Sequence, residues 1–199
     1  MTRQDEHGNY DSRRYALINR WNPRNLDLIR DWVAPSPGDR LLDVGCGKGH
    51  LVKALLDLGV DAHGIDLNPQ AAEVAIVPRV RTMSATSLEF DDATFDSVVS
   101  FHAIEHIALV EEALAEIARV VRPNGKVLVV YPAEPIKGLY AVPTSVILHH
   151  SPFKARQVHV HRLNRERVRR LGEEAGLQEL RSSFRAFPWP EYASLFTRS

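Results

Sequence analysis

Short apolar runs recur through the middle of the chain, each closed by a polar residue or glycine and followed by a stretch with helical spacing. A short apolar run such as Leu41, Leu42 and Val44 is what a strand covered on both faces looks like. The pattern predicts strands over 40–44, 60–65, 79–83, 95–101 and 126–131. Helices are predicted over 50–58 and 109–120, with a short one after Pro69. Strand and helix in alternation predict an α/β fold: a doubly wound, mostly parallel sheet with helices on both faces. Ligands of such sheets bind beyond the carboxyl ends of the strands. Asp43, Asp66, Ser84, His102 and Tyr131 fall at such ends.

The flanks read differently. Residues 1–9 read as disordered, and Tyr10–Val33 as two short helices broken at Asn22-Pro23. Their apolar faces carry Tyr15, Ile18, Trp21, Leu26, Ile29 and Trp32. The expected organisation is one domain over 1–199: an N-terminal helical lid (1–38), a cofactor-binding core (39–132), a substrate-covering insertion (133–160) and a C-terminal helix and strand (161–199). Asn164 is the expected cap and Gly176 the expected stop of a helix, followed by a strand over Leu177–Phe187. The residues left are few and interrupted by Pro188 and Pro190. A last strand is therefore expected to be short, displaced or supplied by a partner chain. With an apolar tail over Trp189–Phe196, this predicts a homodimer.

Composition narrows the function. The 199 residues carry 25 basic and 25 acidic side chains, a net charge of zero, which disfavours a nucleic-acid partner. The single cysteine, Cys46, cannot form an intrachain disulfide, and the charged start Met1–Glu6 has no apolar signal-peptide core. No apolar run approaches the length of a membrane span. A cytoplasmic location is expected.

The chemistry centres on Gly45-Cys46-Gly47-Lys48-Gly49-His50, the turn after the first strand. His50 stands where the dinucleotide fingerprint needs glycine, and Lys48 is followed by Gly49 rather than the Ser/Thr of an ATP-binding loop. Asp43 would repel a pyrophosphate at close range and suits a ligand with an ammonium or sulfonium. Asp66, ending the second strand, is placed to accept hydrogen bonds from both ribose hydroxyls. A ligand with a ribose, an ammonium and no phosphate is S-adenosylmethionine.

Four motifs in order carry a family resemblance. Leu41–Gly49 resembles the first motif of the class I S-adenosylmethionine-dependent methyltransferases, and Gly64–Asn68 their ribose motif. Phe95–His106 resembles the fourth-strand motif, and Val120–Val130 the turn into strand five. The resemblance implies a Rossmann-like fold, with Asp43, Gly45, Gly47, Gly49, Asp66, Leu67, Ser84, Ala85 and Phe101 as the cofactor-binding residues. Where family members often have an acid for the adenine amine, this chain has Ser84-Ala85-Thr86. The Ile104-Glu105-His106 ending is similar to the subgroup that methylates small molecules, including ubiquinone-pathway O-methyltransferases.

On the acceptor side three roles compete for Glu105 and His106. His106 suits a general base, because imidazole titrates near neutrality. Glu105 and His106 together suit a divalent ion such as Mg²⁺, as the ubiquinone-pathway resemblance implies. Or Glu105 caps a helix and His106 packs. His149 and His150 are further candidate bases. His102, Tyr131, His159 and His161 are candidate substrate contacts, and a zinc site among His149, His150, His159 and His161 is disfavoured by the scarcity of cysteine and acid nearby. Nothing after the fourth strand resembles the Asn/Asp-Pro-Pro-Tyr/Phe motif of adenine N-methyltransferases, so oxygen methylation is expected. The acceptor is expected to be a small molecule: a saccharide first, a quinone or phenol as the alternative. A protein that senses S-adenosylmethionine without catalysis is the competing class.

Overall fold

In the computed structural model, residues 22–134, 160–186 and 190–199 are described, with isolated positions at 142, 146 and 153. Their strands are β1 (Arg40–Val44), β2 (Asp61–Asp66), β3 (Val80–Thr82), β4 (Phe95–Phe101), β5 (Val121–Pro132), β6 (Leu177–Arg185) and β7 (Glu191–Arg198). Their helices are α1 (Arg24–Leu28), α2 (His50–Leu56), α3 (Pro69–Glu73), α4 (Val110–Val120) and α5 (Arg165–Glu174). The sheet runs β3-β2-β1-β4-β5-β7-β6. Neighbours from β3 to β5 pair in parallel, and β7 is antiparallel to both β5 and β6.

Side chains alternate across a strand, so one apolar run feeds two cores. Leu42, Val44, Val98, Val127 and Val129 join Leu114 and Ile117 of α4 and Val168 and Leu171 of α5 on one face. Leu41, Val99, Leu128 and Val130 join Ile29, Trp32 and Val33 and Leu51, Val52 and Leu55 of α2 on the other. The expected double winding is what these two clusters build. The expected break at Asn22-Pro23 precedes α1, which runs on into a π-helical turn over Ile29–Val33 that closes at Ala34 with φ 52°. Tyr15, Ile18 and Trp21 lie outside the described residues.

The turn expected at 120–125 takes an unexpected form. β5 starts at Val121, opposite Phe95, but Ser97 already pairs with Lys126, so Arg122–Gly125 bulge from the strand. Asn124 takes the left-handed conformation there, with φ 62°. A Cβ on Gly125 would sit 2.8 Å from both the Arg122 and Asp96 carbonyl oxygens.

The largest departure is the last strand. The tail is neither displaced nor in need of a partner: Glu191–Arg198 forms a full strand inserted between β5 and β6. Pro190, which has no N–H to offer a ladder, stands just before its first residue. Ala193, Leu195 and Phe196 are buried. The argument for a homodimer from a missing strand therefore falls away. The edge is instead β6, where Leu180 and Phe184 are exposed. α5 begins as expected, with the Asn164 side chain accepting the Arg167 N–H at 2.8 Å, and stops at Gly176, whose N–H reaches the Glu173 carbonyl at 3.0 Å. Gly172 lets α5 rest on β7, since a Cβ there would lie 2.6 Å from the Phe196 ring.

Candidate functional site

The site collects at the carboxyl ends of β1, β2 and β4, where the loops leave the sheet. The glycine loop is held by backbone bonds to β2: the N–H groups of Gly45 and Cys46 both reach the Ile65 carbonyl, at 2.9 and 3.0 Å. Gly45 has φ 80°, and a Cβ on it would fall 2.4 Å from the Ala103 side chain. The loop after β1 thus touches the loop after β4 with no room between them. Gly47 and Gly49 also have positive φ.

Asp66 closes this half of the site. Its Oδ2 accepts the Gly47 N–H at 2.8 Å and its Oδ1 the Asn68 N–H at 2.9 Å. Each carboxylate oxygen still has a lone pair to offer a hydroxyl. Asn68 turns the chain into α3, its side chain accepting the Gln70 N–H. Burial raises the Asp66 pKa, opposed by the hydrogen bonds from Asn68 and Gly47. Asp43 is more extreme: burial first, then the nearby charge of Asp66, lift it from 3.8 to about 8. A buried carboxyl whose proton affinity is raised by a part-buried neighbour fits a ligand that brings its own positive charge and a diol, which is the chemistry of S-adenosylmethionine. Leu67 is exposed beside Asp66, Ser84 Oγ lies 2.8 Å from Thr86 Oγ1, and Ala85 and Phe101 are partly buried against the two cores.

After β4 the chain kinks. His102 has φ 51°, and its N–H donates to the Val130 carbonyl at 2.8 Å. A 3-10 turn over Ile104–His106 follows, closed by the His106 N–H on the Ala103 carbonyl. Glu105 is buried between two imidazoles, its Oε1 at 3.6 Å from His102 Nδ1 and 3.8 Å from His106 Nε2. His102 Nε2 lies 2.8 Å from Oε2 of Glu191, the first residue of β7. The other Glu191 oxygen meets Arg185 Nη1 at 3.2 Å. The His102 side chain keeps 44% of its surface exposed; the loss of water it does suffer favours the neutral ring, but hydrogen bonds and attraction from Glu105 and Glu191 outweigh that and carry its pKa up to about 9.

Two expected substrate contacts, Tyr131 and His161, are engaged within the protein. Tyr131 is wholly buried in the core, its hydroxyl 3.3 Å from Ser194 Oγ and its ring against Tyr192. Burial pushes its pKa up to about 12, so it is a packing residue rather than a pocket wall. His161 is tied down: its N–H donates to the Glu105 carbonyl, and its ring nitrogens meet the Ala108 carbonyl and the Arg167 guanidinium, both at 3.1 Å. Arg167 is an obligate donor, so His161 Nδ1 accepts and Nε2 donates. His149, His150 and His159 lie outside the described residues. Among the described residues no group of three or more His, Cys, Asp or Glu side chains is placed to hold a metal ion, so the expected Mg²⁺ at Glu105 and His106 has no support. No helix among them is long and apolar enough to cross a membrane. The residues that the sequence did not single out are Glu191 and Arg185. No local motif marks either; only the pairing of β7 with β5 and β6 brings them beneath His102.

Residues 42–129 match the Methyltransferase domain family. The chain is 29% identical over 131 residues to a ubiquinone biosynthesis O-methyltransferase of Mesorhizobium japonicum, covering 56% of this chain and 53% of that protein. It is 35% identical over 114 residues to the protein of the same name from Paracidovorax citrulli, covering 52% and 48%. Similarity to phosphoethanolamine N-methyltransferase 2 of Caenorhabditis elegans is 33% over 115 residues, covering 53% of this chain and 26% of that protein. The chain thus spans about half the length of the ubiquinone-pathway relatives it matches. Among solved structures, a chain of the Haloferax volcanii complex between the Trm112 methyltransferase activator and a methyltransferase superposes with a TM-score of 0.74 at 18% identity, covering 99% of this chain and 98% of that one. A Haemonchus contortus phosphoethanolamine N-methyltransferase 2, solved with S-adenosylhomocysteine, gives 0.71 at 18% identity over 98% and 57%. At these identities the superpositions speak for the fold alone.

Proposed function

For a chain built on a class I S-adenosylmethionine-dependent methyltransferase domain, we propose O-methyl transfer to a phenolic hydroxyl of a small quinone-type acceptor. The observation that carries the cofactor half is the Asp66 carboxylate, which accepts the Gly47 N–H of the glycine loop through one oxygen and the Asn68 N–H of its own turn through the other, with its charge acting on buried Asp43. Asp66 would take the ribose hydroxyls and Asp43 the ammonium side of the ligand, with the positive-φ turn at Gly45, Gly47 and Gly49 shaping the loop beside it. The names of the ubiquinone-pathway relatives support the acceptor class. The saccharide expected from the histidine content has no such support.

S-adenosylmethionine, when bound, supplies a methyl group already activated on a sulfonium. The chain's own part is to hold the hydroxyl in line and to take its proton. Holding two reactants in line is worth up to roughly 7–11 kcal/mol in favourable cases. His106 is the proposed base. Its ring is mostly buried, its backbone is fixed by the 3-10 turn, and Glu105 lies behind Nε2 at 3.8 Å to stabilise the imidazolium that forms. The test is release of S-adenosylhomocysteine with a catechol, a monosaccharide and phosphoethanolamine as acceptors. Turnover with the catechol alone supports the proposal. Turnover with phosphoethanolamine alone replaces it by amine methylation, and turnover with the sugar alone by saccharide methylation.

A further inference from the structure

We propose that His102 and Glu191 form a charged strut that positions Glu105 behind His106, so that the last strand of the sheet completes the acceptor side of the site. This rests on the proposed role of His106 in oxygen methylation. The geometry is specific. Both nitrogens of His102 face carboxylates, Nε2 at 2.8 Å from Glu191 and Nδ1 at 3.6 Å from Glu105. A neutral imidazole can donate from only one nitrogen, so only the doubly protonated ring satisfies both acids. The charges then balance: Glu105 and Glu191 against His102 and Arg185, which reaches Glu191 from β6. Without the proton on His102 a buried excess of negative charge would remain.

The groups facing the strut come from every element around it: Glu105 and His106 from the turn after β4, Glu191 from β7 and Arg185 from β6. Glu134 follows β5 at the same end of the sheet, where the Ala133 N–H meets the Pro190 carbonyl. The role excludes His102 as the base, because no lone pair is left to receive a proton. It also gives a reason for the left-handed backbone at His102, which a β-carbon disfavours. That conformation turns the ring away from the run of β4 and towards β7, 89 residues later in the chain. Glu105 is then held between a fixed cation and the working imidazole, and its Oε1 cannot swing away from His106.

The experiment uses His102→Asn, which tolerates the left-handed backbone, and Glu191→Gln, which keeps the shape of the partner. Each is expected to lower kcat by about 10-fold or more while S-adenosylhomocysteine affinity stays within about 2-fold. The double variant should be little worse than either single one, because both remove the same strut. In the whole protein without acceptor, the His102 ring proton signal, assigned by its loss in His102→Asn, should stay in its charged position well above pH 7 and titrate at lower pH in Glu191→Gln. Folded His102→Asn with wild-type kcat overturns the strut, as does a His102 ring that titrates alike in wild type and Glu191→Gln. A strut present by the ring titration in a protein that methylates no phenol would instead overturn the acceptor, since that signal needs no acceptor at all.

Discussion

The two halves of the site treat buried carboxylates in opposite ways. On the cofactor side burial and the charge of nearby Asp66 lift the Asp43 proton affinity. On the acceptor side Glu105 and Glu191 enclose His102, with Arg185 behind, so the acids are compensated within the protein. The first half is a site waiting for a cation, because Asp43 holds a proton there that an arriving positive charge would displace. The second balances its charges internally, which suits the proposed roles of shape and proton acceptance rather than charge attraction. A cationic cofactor and the proposed uncharged hydroxyl acceptor suit such a division of labour.

The sharpest way to break the comparison is at Asp66. Asp66→Ala removes the acceptor of two backbone N–H groups and of the proposed ribose bonds, and charge-assisted bonds contribute roughly 1.5–3 kcal/mol each. S-adenosylhomocysteine affinity should fall by on the order of 100-fold or more by calorimetry, with the acceptor-side cluster untouched. Unchanged affinity in a folded variant would end the cofactor assignment. On the other half, His106→Ala should lower kcat by about 100-fold with little change in cofactor affinity, the signature of a proton-transfer group. A folded variant with near wild-type turnover would leave in-line positioning as the source of rate.

The same division explains what the sequence disclosed. Asp43, Gly45, Gly47 and Asp66 each lie within a few residues of the end of an apolar run, so a local pattern locates them without any knowledge of the fold. The two-faced burial of β1 and β4 was legible for the same reason. Glu191 was not, because its partner is set by strand insertion rather than by spacing. Pro188 and Pro190 suggested a broken tail, yet Pro190 only precedes β7, and the unbroken burial of Ala193, Ser194, Leu195 and Phe196 outweighs its disruption. Tyr131 misled for a related reason: position at a strand end is a poor guide when an antiparallel neighbour continues past it, as β7 does to Pro132. Gly172 shows the same long-range logic in packing. Gly172→Ala would press a methyl to 2.6 Å from the Phe196 ring. Overpacking of this kind costs about 1–3 kcal/mol. In a domain of this size that lowers Tm by roughly 2–4 °C per kcal/mol. Thermal unfolding should report the loss while cofactor affinity holds, and an unchanged Tm would mean that α5 shifts freely on β7.

The smallest expected effect is the most specific to the cofactor half. Asp43 rises from 3.8 to about 8, so near pH 7 the ligand-free carboxyl holds a proton for most of the time. A ligand that places an ammonium or sulfonium nearby favours the ionised form, so binding expels that proton. Affinity for S-adenosylmethionine should therefore be fully developed above pH 8 and weaken as pH falls below it, by at most about 10-fold per unit. Stability of the ligand-free protein moves the other way. The native state binds a proton that the unfolded chain has released, so this group's contribution declines as pH rises from about 4 to about 8. Calorimetry of S-adenosylhomocysteine at pH 6, 7 and 8, in two buffers of different ionisation enthalpy, counts the protons released. Wild type should release up to one near neutral pH, and Asp43→Asn, which has no proton to lose there, should show a flatter profile. His102→Asn serves as the contrast, since its charge is compensated inside the protein and binding of the cofactor should leave the proton count unchanged. Equal release from wild type and Asp43→Asn would mean that the two carboxyls do not share the cost of the ligand's arrival, and that the difference between the halves lies in shape alone.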